Sequence, residues 1–494
     1  MRPFLTLALV AALPATAQPR FEDLSGTLPP HDYSGGWEHF VGGGVAVFDC
    51  DADGQPEIAA AGGTAPAILL HNDGEMAFSA APFPEISETT GLYPLDLDAD
   101  GWLDLFVLRV GANVVLKGGP GCAFEDATAS FGLPTDDAWS TAFTAWWEED
   151  GRPVLAVGNY VDRADPEGPF GTCDDNAILR PSADGYAAEP LTPGFCALSI
   201  LAARDARGRP TLRLSNDRHY YVREGHEQMW DIGERRFLTQ ADGWDGPMLW
   251  GMGIASRDLD GDGLAEVMLT SMGDQLLQIA QPDGTYANAS YEMGTAAQRP
   301  YFGDDGRPST GWHAEFGDVD LDGRPDLFIA KGNVDQMATN AMEDPNDLLM
   351  QRPDGTFVQA ALEAGVASVA RSRGAALADL DGDGDLDLVV VNRRAPMELY
   401  RNVTERTGHW LAVDLSQPGG NARAVGAVVT VETEAGRQVQ EVTVGGGHAG
   451  GEALPLHFGL GPATEARVTI DWPDGTRTET EAAGDAVLHL ARDP

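Results

Sequence analysis

Residues 379–387 read DLDGDGDLD and run straight into the apolar stretch LVVVN at 388–392. Aspartates alternate at Asp379, Asp381 and Asp383, Gly384 follows, and Asp387 closes the ninth position. The same register recurs four more times. It appears as Asp49, Asp51, Asp53, Gly54 and Glu57; as Asp96, Asp98, Asp100, Gly101 and Asp104; as Asp258, Asp260, Asp262, Gly263 and Glu266; and as Asp318, Asp320, Asp322, Gly323 and Asp326. Each copy is followed by a short apolar run such as EIAAA, DLFVL, EVMLT or DLFIA. Five copies of one acid register in one chain define a repeat.

The copies start at positions 49, 96, 258, 318 and 379, so neighbouring copies lie 47, 60 and 61 residues apart. The wide gap between 96 and 258 has room for two degenerate units. One carries Glu148, Asp150 and Gly151, the other Asp205 and Gly208. Seven units of this length point to a ring of four-stranded blades. Between the acidic segments lie runs of four to eight residues rich in Val, Ile, Leu and Phe, punctuated by Asp-Gly and Pro-Asp-Gly turns, as antiparallel hairpins require. The last unit has a third strand near Met397–Asn402 but no fourth. Residues 20–25 (RFEDLS) resemble the fourth strands of other units, such as Phe124–Thr128, and are expected to close that blade. The fold class is therefore all-β: a seven-bladed β-propeller over residues 18–405, followed by a small antiparallel β-sandwich over 408–494.

The acidic segments have a chemistry of their own. Three alternating carboxylates, a glycine that permits a sharp turn and an acid at position nine make an all-oxygen cage. Calcium, with its six to eight oxygen ligands and tolerant geometry, fits better than magnesium. Transition metals favour His or Cys, which this register lacks apart from Cys50. Side chains at positions one, three, five and nine would be ligands. Position seven (Gln55, Trp102, Leu264, Arg324 and Asp385) would add a backbone carbonyl. An EF-hand would need Glu at position twelve, where this chain has Ala60, Val107, Leu269, Ile329 and Val390. About five calcium sites are expected, all between strands, and none in the two degenerate units.

These loops resemble the FG-GAP/VCBS repeats of integrin-alpha-type propellers. In that family the acidic loop joins the first and second strands of a blade and calcium is structural. A second resemblance begins after Thr407. Gly426-Ala427, Val444-Gly445-Gly446, Leu456-His457-Phe458-Gly459-Leu460-Gly461 and Trp472-Pro473-Asp474-Gly475 look like the ASPIC/UnbV module that follows the propeller in the cartilage acidic protein family. The family's central Ser-Gln turn is replaced here by Ala449-Gly-Gly-Glu452.

Targeting and charge narrow the function. Residues 1–17 combine Arg2, an apolar run from Phe4 to Leu13 and an Ala-Thr-Ala end, the layout of a signal peptide. The product is expected to be secreted, periplasmic or otherwise extracellular, and monomeric, with no membrane span. Four cysteines suit an oxidising compartment. Cys173 is paired with Cys196 on proximity, and Cys50 with Cys122 by elimination. With 32 Lys+Arg against 77 Asp+Glu, a formal charge of −45 excludes nucleic acid as a partner. A hydrophobic content of 43% sets the chain apart from disordered acidic sequences.

No catalytic motif stands out. His226-Glu227 begins like a zincin helix but meets Trp230 where a second His belongs. The chain is expected to be a non-enzymatic binding or adhesion module for an extracellular protein or glycan. The alternative is an exported enzyme acting on a glycan or using a channel-bound cofactor. Either ligand would meet the face opposite the acidic loops. Loops leaving the second strands there hold Asn159, Asn216, Arg218, His219, Lys331, Asn392 and Arg393, and segments entering the first strands add Trp250 and His313.

Overall fold

The strand Asp387–Asn392 is buried at every residue, and the strands Glu57–Ala60 and Asp326–Lys331 behave alike. A sheet with one wet face would alternate buried and exposed positions. Continuous burial means that each sheet is covered on both faces, and here the cover is the neighbouring sheet. A computed structural model describes residues 18–149, 151–165, 171–217, 225–301 and 306–492. The expected signal peptide lies outside them. Between Phe21 and Asn402 the described strands form seven sheets, each with four strands in meander order.

The innermost strands are Val45–Phe48, Thr89–Leu95, Ser140–Trp146, Ala197–Arg204, Gly251–Arg257, Gly311–Gly317 and Ser372–Ala378. Each touches the next in order and the last touches the first, so the ring is closed. Exposure grows outward: the outer strands Phe78–Ala80 and Ala123–Asp126 have mostly exposed or half-buried residues. Phe21–Asp23 pairs antiparallel with Glu398–Asn402, with Phe21 opposite Asn402 and Asp23 opposite Tyr400. One sheet thus holds both ends of the propeller segment, which removes two free edges. Cys50 is joined to Cys122 and Cys173 to Cys196, with Cα separations of 5.1 and 4.9 Å.

The C-terminal domain has two sheets. One orders Leu456–Gly461, His409–Ser416 and Ala486–Ala491; the other orders Arg437–Glu441, Val428–Glu432, Glu465–Asp471 and Arg477–Ala483. All pairings are antiparallel except His409–Ser416 with Ala486–Ala491, which is parallel. Leu411, Val413, Val429, Phe458, Val468, Ile470 and Trp472 fill the space between the sheets.

This domain sits on the acidic-loop side of the ring and sends one segment into the channel. Val444 O accepts a hydrogen bond from Thr144 Oγ1 at 2.6 Å. Gly445, Gly447 and Gly450 bridge to Leu201, Ile254 and Leu92 on three inner strands. Gly451–Ala453 adds a parallel fifth strand to the sheet begun by Val45–Phe48. His448 is fully buried at the centre, where Nε2 accepts from Gly42 N–H at 3.2 Å and its own N–H donates to His313 Nδ1 at 3.1 Å. Glycine is required on both sides of this contact, because a Cβ on Gly44 or Gly91 would overlap the carbonyl of Ala449.

Candidate functional site

The five acidic loops are built alike. Position six is a left-handed glycine throughout: Gly54, Gly101, Gly263, Gly323 and Gly384 have φ of 85°, 91°, 90°, 90° and 91°. That turn aims the glycine N–H at the position-one aspartate, giving bonds of 2.7–3.0 Å to Asp49, Asp96, Asp258, Asp318 and Asp379. Each position-five aspartate (Asp53, Asp100, Asp262, Asp322 and Asp383) accepts from the residue two further on, at 2.8–3.0 Å. The position-nine acids Glu57, Asp104, Glu266, Asp326 and Asp387 begin the second strands and accept the position-two N–H at 2.9–3.0 Å. Asp104, Asp326 and Asp387 use their other oxygen on the third strand, through Gly118, Gln351 and Asn402 N–H.

Position three differs. Asp51, Asp98, Asp320 and Asp381 each keep a buried Oδ1 with no hydrogen-bond partner. In at least three loops, carboxylate oxygens lie within 4.8 Å of one another: Asp49, Asp51 and Asp53; Asp96, Asp98 and Asp104; Asp258, Asp260 and Asp262. Crowded, desolvated carboxylates resist ionisation. Burial first, and then neighbouring acids, push Asp104 and Asp379 up to about 7, Asp387 to about 8 and Asp258 to about 6, against opposing backbone hydrogen bonds. Burial likewise raises Glu57 and Glu266 to about 7, and lifts Asp318 and Asp326 well above the carboxylate range. An unpartnered oxygen in an all-oxygen cluster fits a hard divalent cation. Some loops draw basic side chains instead. Lys117 reaches Asp98 and Asp100, Arg401 reaches Asp381 at 3.2 Å, and Arg324 folds onto Asp322.

The degenerate units are filled differently. Asp205 Oδ1 accepts the N–H groups of Arg207 and Arg209 at 2.9 Å, and Oδ2 accepts the Arg209 guanidinium at 2.8 and 2.6 Å. Glu148 pairs with Arg180 and Arg235. A guanidinium therefore stands where the other loops leave an oxygen cage. Spacing alone gave no sign of this.

Several of the residues singled out on the opposite face serve neighbouring backbone or acidic groups. Asn159 donates to Asp175 O at 2.9 Å. Asn216 donates to His226 O at 2.8 Å, and Asn392 to Pro396 O at 2.9 Å. Lys331 is wholly buried against Asp347 Oδ1 at 2.8 Å. Arg393 bonds His39 O at 2.9 Å and pairs with Asp335 at 2.6 Å. Long loops leave carbonyls unpaired, and these side chains satisfy them. Trp250 is half-buried. Arg218 and His219 lie outside the described residues. His313 points into the channel, where its Nε2 meets Glu315 Oε2 at 3.2 Å. A cavity of about 880 Å³ lies on the acidic-loop side between the ring and the C-terminal domain. The sequence offered no signal for it, because it exists only once the two domains dock.

The fold and loops define the class: a β-propeller with FG-GAP-like repeats, which match residues 49–107, 258–329 and 318–390, followed by an ASPIC and UnbV domain matching 417–493. The chain is homologous to cartilage acidic protein 1. It is 23% identical to the Mus musculus protein, covering 95% of this chain and 76% of that one, and 23% identical to the Homo sapiens protein, covering 98% and 77%. Among solved structures, BBS1N in complex with ARL6DN matches 80% of this chain and 99% of its own at 10% identity and a TM-score of 0.46. YCF48 from Cyanidioschyzon merolae matches 77% and 98% at 10% identity and a TM-score of 0.41.

Proposed function

We propose that this chain is a secreted, calcium-stabilised propeller that works as a binding or adhesion module for an extracellular protein or glycan. Calcium is structural and occupies about five sites, one per acidic loop, with position-seven carbonyls completing each shell. One observation carries the calcium assignment: in four loops of common geometry, the position-three aspartate holds a buried oxygen with no partner. Two disulfides and homology to cartilage acidic protein 1 support an extracellular setting. Among the described residues no helix is long and apolar enough to cross a membrane.

Each site would add about 2.7 kcal/mol when free calcium is about one hundred times its dissociation constant. Chelation should therefore lower the melting temperature sharply, and added calcium should restore it. Melting that is indifferent to chelator would sink the assignment. The module is read as non-enzymatic. Asn159, Asn216, Asn392 and Arg393 serve neighbouring backbone carbonyls, and turnover on any glycan panel would reverse that reading.

A further inference from the structure

The acidic loop at 318–326 lies under the C-terminal domain. Its acids Asp318, Asp320 and Asp326 are at most 3% exposed. In the loops at 49–57 and 96–104, by contrast, Asp51 and Asp98 are half-buried and Asp53 and Asp100 exposed. The cover is the sheet that contains His409–Ser416 and Leu456–Gly461. Thr407 Oγ1 donates to Asp320 O at 3.3 Å, at the entry to that sheet. A Cβ on Gly408 would overlap Leu321 O, and one on Gly459 would overlap the Asp318 carboxylate. A Cβ on Gly461 would stand 3.1 Å from Asp322 O. Beside this contact, Trp410 lies on Gly384 of the loop at 379–387, and His457 Nε2 donates to Gly384 O at 2.9 Å.

Position four of the loop is adapted to the same contact. It is left-handed in all five loops, and the others place Ala52, Ala99, Gly261 and Gly382 there. Here it is Leu321, with φ of 56°. A bulky residue in this conformation is strained. Leu321 is 1% exposed and packs against Trp410 and Ala412, which offsets the strain. The domain thus fits, without clearance, the stretch 320–322 that also carries ligand acids. Asp320 Oδ1 in that stretch is buried with no hydrogen-bond partner to fix it. The channel segment itself is held to the inner strands by isolated bridges and one three-residue strand. We propose that calcium in the loop at 318–326 governs docking of the C-terminal domain. The occupied loop has the shape on which the sheet seats. Loss of the ion releases the sheet and draws residues 444–453 out of the channel, so calcium sets whether the channel is plugged. Coupling of this kind is reciprocal, and the docked domain raises the calcium affinity of the loop. The inference rests on the calcium reading and adds a regulatory role to it.

The test is hydrogen exchange of the full chain at about pH 8, where protons compete least with calcium, in saturating calcium and after stripping. Stripping should speed exchange at 444–453 by about tenfold or more. The strand Val154–Asn159, in a unit without an oxygen cage, should stay protected. Leu321→Ala keeps every ligand carboxylate and installs the residue that two other loops already use. In calcium it should speed exchange at 444–453 and weaken calcium binding at one site. Asp98→Asn removes a ligand from a loop whose acids are part-exposed. It should lower melting in calcium without speeding exchange at 444–453. Exchange there that ignores calcium overturns the proposal. So does loosening of the segment only in step with Val154–Asn159, or a Leu321→Ala variant that leaves either exchange or calcium binding intact. If Leu321→Ala does not fold, the calcium comparison on the parent chain decides alone. Melting that ignores chelator sinks the calcium reading itself. Melting that follows calcium while 444–453 does not sinks this inference alone.

Discussion

Within each acidic loop the four carboxylates have different jobs, and substitution should separate them. Position one holds two backbone N–H groups, as Asp318 does with Asp322 and Gly323 at 3.0 and 2.7 Å. Its loss should destabilise the loop with or without metal. Position three keeps an oxygen without a hydrogen-bond partner in four loops, Asp320 Oδ1 among them. Asp320→Asn keeps the shape and removes a charge that only a cation would compensate. In calcium it should cost up to about 2.7 kcal/mol, the worth of one well-occupied site. In chelator it should be neutral or slightly stabilising, because it relieves repulsion from Asp322 and burial of a carboxylate. Equal losses in both media would mean that Asp320 is a structural acid. The turn itself was legible, because alternating acids before a glycine constrain a loop on their own; the division of work among the four acids was not. The cations that enter the loops were not. Lys117 and Arg401 lie on third strands, Val114–Gly119 and Glu398–Asn402, and the strand pairing that brings them near is not a local property.

The segment 444–453 shows a similar limit at the level of an element. Glycines at 445, 446, 447, 450 and 451 surround the place where the family's Ser-Gln turn is replaced, and nothing in that spacing announces an element that fills a channel. In the folded chain the glycines let backbone lie against backbone across the channel. The inner strands reciprocate: Gly44 and Gly91 both face the Ala449 carbonyl. Gly44→Ala is an incisive test, because φ at Gly44 lies outside the left-handed region and the nearest conflicts are all with the inserted segment. Overpacking of this kind costs about 1–3 kcal/mol. The variant should melt lower, and hydrogen exchange should rise at 445–453 while the outer strands keep their protection. A uniform rise across the ring would show that Gly44 serves the blade rather than the docked domain.

For the molecule as a whole the governing fact is a formal charge of −45, with twenty carboxylates at the side-chain ligand positions of five loops. Without metal, position-one and position-nine acids such as Asp258, Asp104 and Asp387 have pKa values of about 6, 7 and 8, above their unfolded values. Raised acids bind protons more tightly in the folded state. Their contribution is fully present below the ordinary carboxylate range, near pH 4, and is lost as pH rises through about 8. Metal-free protein should therefore lose stability from these loops between pH 5 and pH 8. Calcium reverses the direction, because it binds the ionised form and protons compete with it. The gap between the melting temperatures with and without calcium should be widest near pH 8 and should close toward pH 5. Chelators themselves release calcium on acidification, so the metal-free arm needs stripped and desalted protein rather than added EDTA. A gap that stays constant across this range would mean that the loop acids are ionised in both states. Their crowding would then be relieved by Lys117, Arg324 and Arg401 rather than by a dication.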